Sequence, residues 1–257
     1  MTRHIPLEGV DNFRDFGDYP AAGGRRLKRG TLYRSASHSR ATDADLEALA
    51  TLELAVVVDL RRRGEREREP SRRPPGFTGV VIANDDDRDE DSWRAHMASG
   101  QLSVDSFRAY LTDYYRKAPF DERHIDLFSR YFQALAGSEG PVLIHCAAGK
   151  DRTGILAALT HHVAGVHPDD IAADYLLTND PQRMARRLPQ VSQAIHEISG
   201  LVPDDAAVMT VMGVDTLYLD TAFAEIADRY GGADAYLDRA LGVTPDVREV
   251  LAARLLE

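Results

Sequence analysis

Pro141-Val142-Leu143-Ile144-His145-Cys146-Ala147-Ala148-Gly149-Lys150-Asp151-Arg152-Thr153-Gly154-Ile155-Leu156-Ala157-Ala158-Leu159 sets an apolar run, a polar loop and a second apolar run in direct succession. Residues 141–144 read as a short buried strand, and residues 152–164 as a helix. A strand that feeds a helix through a tight loop builds an anion site. The first N–H groups of a helix lack intrahelical acceptors, and the aligned peptide dipoles add positive potential at that end. Successive N–H groups curled over the helix start form a nest of phosphate size.

The side chains add chemistry to the nest. Cys146 opens the loop, and Arg152 follows six residues later, where the chain has curved back. A guanidinium grips two oxygens of a phosphoryl group at once. The same positive field favours thiolate over thiol: a free thiol titrates near ~8.5, and thiols in such fields reach ~3.5–7.5. The expectation is an ionised sulfur facing an electrophilic phosphorus. The amides of Ala147, Ala148, Gly149, Lys150, Asp151 and Arg152 are the expected cradle for the phosphoryl oxygens.

His-Cys, five residues, Arg, then Thr-Gly resembles the signature of cysteine-dependent protein tyrosine phosphatases. The Gly149-Lys150-Asp151-Arg152-Thr153-Gly154 version is similar to that of the atypical bacterial tyrosine and lipid phosphatases, whose loop carries Lys and Asp before the Arg. Other stretches resemble that family in the same order. They are Asn12-Phe13-Arg14-Asp15-Phe16-Gly17, Leu32-Tyr33-Arg34-Ser35, Val58-Asp59-Leu60-Arg61 with Glu65, and Asp174-Tyr175-Leu176 with Asn179-Asp180. The resemblance spans most of the chain. It implies a metal-free, cofactor-free phosphatase acting on phosphotyrosine, with phosphoserine, phosphothreonine and phosphoinositides as further substrates. The route is a cysteinyl-phosphate intermediate, and inorganic phosphate is the product.

Composition bounds the alternatives. A chain of 257 residues, 44% hydrophobic, suits one large α/β domain. The net charge of −10 argues against a general nucleic-acid role. Cys146 is the single cysteine, so no intrachain disulfide and no cysteine metal cluster form. A lone cysteine is usually a buried small hydrophobe, but this one sits in a Gly- and charge-bearing loop. The N-terminal residues lack an apolar leader, and no apolar run approaches the ~20 residues of a membrane span. A cytoplasmic location is the expectation.

The expected fold is three-layer αβα with a central, mainly parallel sheet, in one domain over 1–257. A lid insertion is expected over about 84–120, and a helical region over about 168–257. Residues 8–20 read as an irregular surface segment. A hairpin is expected between 25–27 and 31–34. Thr42 reads as the cap of a helix, and 55–60 and 80–83 as strands. The charge run 61–75 reads as largely solvated, and 88–100 as a flap without clear period. Helices are expected over 103–116, 121–136, 168–178, 183–199, 214–230 and from Pro245. His161-His162 diverge by about 100° on a helix, so they read as packing or surface residues rather than metal ligands.

Phosphoryl transfer to sulfur needs a nucleophile, charge neutralisation, a leaving-group acid and a water. Cys146 and Arg152 take the first two parts. Thr153 is the expected hydroxyl donor to the sulfur, and His145 the residue that orients the loop through backbone hydrogen bonds. Asp59 and Arg61 stand at a strand's C-terminal end, where an open α/β sheet places its site, and read as a supporting ion pair. Asp151 is the favoured acid, with Asp85, Asp86 and Asp87 as the alternative. Lys150 reads as a second positive charge at the loop rim, suited to substrates with more than one phosphate. The competing reading is a phosphopeptide-binding module of the same fold without turnover, and a persulfide-bearing sulfur transferase is a third. A nucleotide P-loop fails, because Asp151 follows Gly149-Lys150 and Ile144 stands where the first Gly belongs.

Overall fold

The computed structural model describes residues 3–86 and 92–257. Five strands form one sheet: β1 (Arg14–Asp15), β2 (Leu32–Ser35), β3 (Val56–Asp59), β4 (Val80–Ile82) and β5 (Val142–His145). Their spatial order is β1-β2-β5-β3-β4. β2, β5, β3 and β4 run parallel, and β1 pairs antiparallel with β2. β5 therefore lies in the middle, paired on both edges.

Alternation along the central strands separates two cores. Val56, Val58, Val142 and Ile144 point into the larger one. Val57 and Leu143, one residue out of phase, point into the smaller one. Helix α1 (Asp43–Ala50) covers the smaller core with Leu46 and Leu49. Thr42 and Asp45 form its capping box. The larger core is covered by α5 (Glu122–Gly137) and α6 (Asp151–Val163), through Leu127, Phe128, Phe132, Ile155, Leu156 and Leu159. The result is the three-layer αβα arrangement with a central, mainly parallel sheet.

The remaining helices are α2 (Arg63–Arg68), α3 (Ser92–Ala98), α4 (Val104–Lys117), α7 (Pro168–Leu176), α8 (Pro181–Ser199), α9 (Asp205–Met212), α10 (Thr216–Tyr230), α11 (Ala233–Leu241) and α12 (Pro245–Leu255). α3, α4, α8 and α9 share a third apolar cluster around Met97, Phe107, Met184, Ile195 and Val208. Asp180 caps α8 and Pro181 opens it, so this helix starts two residues before the expected 183. No helix among the described residues is long and apolar enough to cross a membrane.

Three expectations change. Residues 8–20 are not a surface segment: Asn12, Phe13, Arg14, Asp15 and Phe16 are buried. The partner of β2 is β1, with Arg14 opposite Arg34, rather than residues 25–27. Leu27 instead bridges Leu256, tying the C-terminus to the N-terminal lobe. α3, α9 and α11 were not legible, and α3 falls within the stretch read as an aperiodic flap. Each is only seven to nine residues long. Two turns are too few to display a period, and packing has to supply their stability.

Candidate active site

β5 ends at His145 and α6 begins at Asp151, so residues 146–150 form the loop. Gly149 has φ of 67°, and a Cβ there would meet the Ser35 carbonyl at 2.4 Å. Only glycine fits both demands. Its carbonyl is held from behind by Asn12 Nδ2 at 2.8 Å and Arg34 Nη2 at 3.2 Å. The Ala147 carbonyl accepts from the Ser37 N–H at 3.1 Å. In a trans peptide the N–H opposes the C=O. Pulling these two carbonyls outward turns the amides of Ala148 and Lys150 toward the concave side.

A cavity of about 430 Å³ opens over that side. Cys146, Ala147, Ala148, Lys150, Asp151 and Arg152 line it, and Gly149 stays behind the loop. Cys146 is buried yet reaches the cavity. Trp93, Tyr110 and Tyr114 form part of its wall.

Arg152 is locked by a residue of the charge run. Its Nη1 and Nη2 donate to Glu65 at 2.5 and 2.8 Å, and Nη1 also donates to the Leu60 carbonyl at 3.1 Å. The terminal edge of the guanidinium is thereby used. Nε and the second Nη2 hydrogen, on the side edge, are left for an anion. Glu65 itself accepts from the Arg62 N–H at 2.8 Å, at the start of α2. Burial pushes this carboxyl up, but the charge and hydrogen bonds of Arg152 hold it at about 2.

Asp59 and Arg61 sit beneath the loop. Arg61 Nε and Nη2 fork onto Asp59 at 2.9 and 2.7 Å. Its other donors reach Ser37 Oγ, Ser71 Oγ and the Glu69 carbonyl at 2.7–2.9 Å. Every N–H of Arg61 is spent, and through Ser37 the pair braces the Ala147 carbonyl.

His145 is buried beneath the loop, with the backbone of Cys146 next to its ring. Its ring stacks on His38 with centroids 5.0 Å apart. Its Nε2 lies 3.6 Å from Asp59. Burial lowers the imidazole to about 4, against the upward pull of Asp59 and with Arg73 and Arg61 pushing further down. The unfolded chain protonates this ring near 6.5 and the folded chain near 4. Between those values the unfolded state binds more protons, so stability falls as pH drops through that window. The shift corresponds to about 3 kcal/mol for this ring. The urea midpoint is expected to decline from about pH 7 to about pH 4.5, and His145→Asn to make the decline shallower without removing it, because burial also lowers His38, His124 and His161. A midpoint level over that window contradicts the neutral buried ring.

Behind the loop lies a group whose role does not follow from its place in the sequence. Asp174 on α7 is fully buried and meets two guanidiniums, Arg14 Nε at 3.4 Å and Arg34 Nη1 at 2.7 Å. Burial pushes Asp174 up, but Arg14 and Arg34 outweigh it and hold the carboxyl well below the usual range. Arg34 uses its other nitrogen on Gly149, so this triad carries the loop.

Asp151 lines the cavity and is held at Oδ1. Tyr115 donates to it at 3.0 Å, and Lys150 Nζ lies 3.2 Å away. The Tyr175 hydroxyl is 2.6 Å from that of Tyr115, so with Tyr115 donating to Asp151 the order is Tyr175 to Tyr115 to Asp151. Tyr115 is thus a support behind the carboxyl, while Tyr110 and Tyr114 are the tyrosines that face the cavity.

Other expectations are corrected. Lys150 is not a rim cation: it is buried, and its Nζ also donates to the Gly213 carbonyl at 3.3 Å. The hydroxyl of Thr153 is enclosed in the first turn of α6 and makes no hydrogen bond, to the Cys146 sulfur or any other group. Asp85 is exposed and paired with Arg66. Asp86 donates its N–H to Asn84 at 2.8 Å. Neither lines the cavity, because β4 is the far edge strand. Asp87 lies outside the described residues.

Residues 5–257 match the model of a tyrosine phosphatase family. A Cupriavidus necator protein, provisionally named a tyrosine-protein phosphatase, is 35% identical over 255 residues, covering 94% of this chain and 85% of its own. The triple specificity protein phosphatase PtpB of Mycobacterium tuberculosis is 34% identical over 259 residues, covering 90% and 91%. A tyrosine-protein phosphatase of Nostoc commune is 28% identical over 242 residues, covering 92% and 78%. With a sulfur and a braced guanidinium converging on one cavity, and with likeness running through nearly the whole length, the chain belongs to the tyrosine phosphatase family and is a phosphatase of phosphorylated substrates.

Proposed function

We propose that Cys146 is the nucleophile of a metal-free phosphomonoesterase acting on phosphotyrosine in proteins. The carrying observation is Arg152, locked by Glu65 with its side edge unspent, on the cavity that Cys146 also lines. The thiolate attacks phosphorus in line. The S–P bond forms as the ester P–O bond breaks, and Asp151 gives a proton to the departing oxygen. Water then attacks phosphorus and returns a proton to Asp151. The S–P bond breaks, and inorganic phosphate leaves. Arg152 and the loop amides carry the equatorial oxygens through both steps. Thr153 takes part only if its hydroxyl turns to the sulfur once the phosphoryl group is bound.

The triple specificity in the name of PtpB supports substrates beyond phosphotyrosine, and the reading extends to phosphoserine and phosphothreonine. The arginines around the cavity, Arg62, Arg68 and Arg94 among them, support phosphoinositides as well. Mixing the protein with a radiolabelled phosphotyrosine peptide and quenching in denaturant tests the route. Label is expected on the peptide that carries Cys146, and steady turnover with no label on sulfur at any quench time removes the covalent step.

Asp151→Asn separates the acid from the nucleophile. With phosphoserine peptides, whose alkoxide must be protonated to leave, kcat is expected to fall about 10²–10⁴-fold. With p-nitrophenyl phosphate, whose phenolate leaves readily, the fall is expected to be smaller. Equal losses on both substrates exclude Asp151 as the leaving-group acid.

A further inference from the structure

Two phenols meet behind the phosphate loop. Tyr115 on α4 and Tyr175 on α7 stand 60 residues apart in the chain, with their hydroxyl oxygens 2.6 Å from each other. Both side chains are buried, and neither lines the cavity. The Tyr115 ring is pinned on two sides, edge-on to Tyr175 with centroids 6.4 Å apart and stacked on Tyr218 at 5.6 Å. Tyr175 comes this close because Gly154 has no side chain. A Cβ there would meet Tyr175 Cε2 at 2.8 Å and Cδ2 at 3.0 Å. Glycine inside a helix weakens it relative to alanine, and the gap it leaves in the first turn of α6 is filled by this ring.

Burial pushes both hydroxyls well above the usual phenol range, and the Asp151 charge acts the same way. Both stay protonated, and each has one hydrogen to give. Tyr115 spends its hydrogen on Asp151 Oδ1 at 3.0 Å, so Tyr175 spends its own on Tyr115. The Lys150 ammonium lies 3.2 Å from the same Oδ1. Oδ1 therefore faces two donors, and Oδ2 faces none among the described residues. A carboxylic acid in this setting keeps its proton on Oδ2, since a hydrogen on Oδ1 would be driven against those of the phenol and the ammonium.

We infer, resting on the reading of Asp151 as the leaving-group acid, that Tyr115 and Tyr175 are positioning residues that fix Asp151 by Oδ1 and confine its transferable proton to Oδ2. In the first step the Oδ2–H bond breaks as the proton passes to the ester oxygen, which binds it with the electron pair kept from the broken P–O bond. In the second, Oδ2 takes a proton from the attacking water. The phenols lie outside the cavity and act only through the carboxyl. Without the Tyr115 hydroxyl, Asp151 is held by Lys150 alone and turns more freely about its side-chain bonds.

A double-mutant cycle tests this role. Single-turnover release of dephosphorylated peptide from a phosphoserine peptide, and of p-nitrophenol from p-nitrophenyl phosphate, is measured at saturating substrate. The proteins compared are the wild type, Tyr115→Phe, Asp151→Asn and the double variant. Tyr115→Phe is expected to slow release from phosphoserine about 10- to 100-fold and from p-nitrophenyl phosphate by less than about threefold. Its Kd for a non-hydrolysed phosphotyrosine mimic is expected to stay within about twofold of the wild type. Added to Asp151→Asn, Tyr115→Phe is expected to cost no more than about twofold, because the acid it positions is already gone. Tyr175→Phe, which leaves the bond from Tyr115 to Asp151, is expected to give a smaller loss of the same pattern. A Tyr115→Phe loss that is equal on the two substrates, that shows as weaker binding of the mimic, or that persists in full beside Asp151→Asn overturns the positioning role. So does a Tyr115→Phe rate on phosphoserine within about twofold of the wild type. Should Tyr115→Phe fail to fold, the Tyr115→Phe, Tyr175→Phe pair, which strands no hydroxyl in the core, carries the same comparison. Equal loss of both substrates in Asp151→Asn itself sinks the acid reading instead.

Discussion

Cys146→Ser is expected to reduce turnover of p-nitrophenyl phosphate to background, a loss of at least about 10⁴-fold, while phosphopeptide binding persists. A serine hydroxyl at this position is un-ionised near neutral pH and a far weaker nucleophile than a thiolate. The proposed cradle uses the Ala148 and Lys150 amides and the Arg152 side edge, none of which depends on sulfur. Binding and turnover should therefore separate. Calorimetry with a non-hydrolysed phosphotyrosine mimic reads the first, and release of p-nitrophenol reads the second. Residual turnover within about tenfold of the wild type would assign the chemistry to another group. Binding by the wild type with no hydrolysis over hours would favour a non-catalytic module.

Asp174→Asn is expected to cost about 3–5 kcal/mol of folding stability, a fall of about 10 °C in Tm for a chain of this size. The amide fits the space but leaves Arg14 and Arg34 facing each other without a counter-charge. Even with Asp174 present, burial and the Arg34 charge pull Arg14 down to about 9. The damage should reach the loop, because Arg34 also holds the Gly149 carbonyl. Differential scanning calorimetry and kcat measured below the transition check both parts. A Tm within about 2 °C of the wild type would mean that the triad is not what holds the loop.

The parts of the site that are contiguous in the chain were legible in it. A β-branched run before 59, an apolar run before 145 and a glycine-bearing loop are local signals, and residues 56–59 and 142–145 form strands accordingly. What was hidden depends on long separations. Glu65 lies within a charge run that reads as solvated, and only the fold carries it across 87 residues to Arg152. The Arg14–Asp174 pair spans 160 residues. Asn12 and Arg14 read as surface because polar residues usually are; here they are buried as props of the loop. Lys150 misled for the opposite reason: its neighbours in sequence suggest a rim, but α9 and α10 arrive beside it and the Gly213 carbonyl captures its ammonium.

β5 has partners on both edges, and the sulfur is mounted directly at its end. The part of the wall that carries Trp93, Val191 and Ile198 belongs to α3 and α8, which pack on an apolar cluster apart from the sheet. That part of the wall is therefore carried by a different region of the polypeptide from the sulfur. Descendants of this chain can trade Trp93, Val191 or Ile198 for other side chains and acquire new clients while the reaction itself is inherited unchanged.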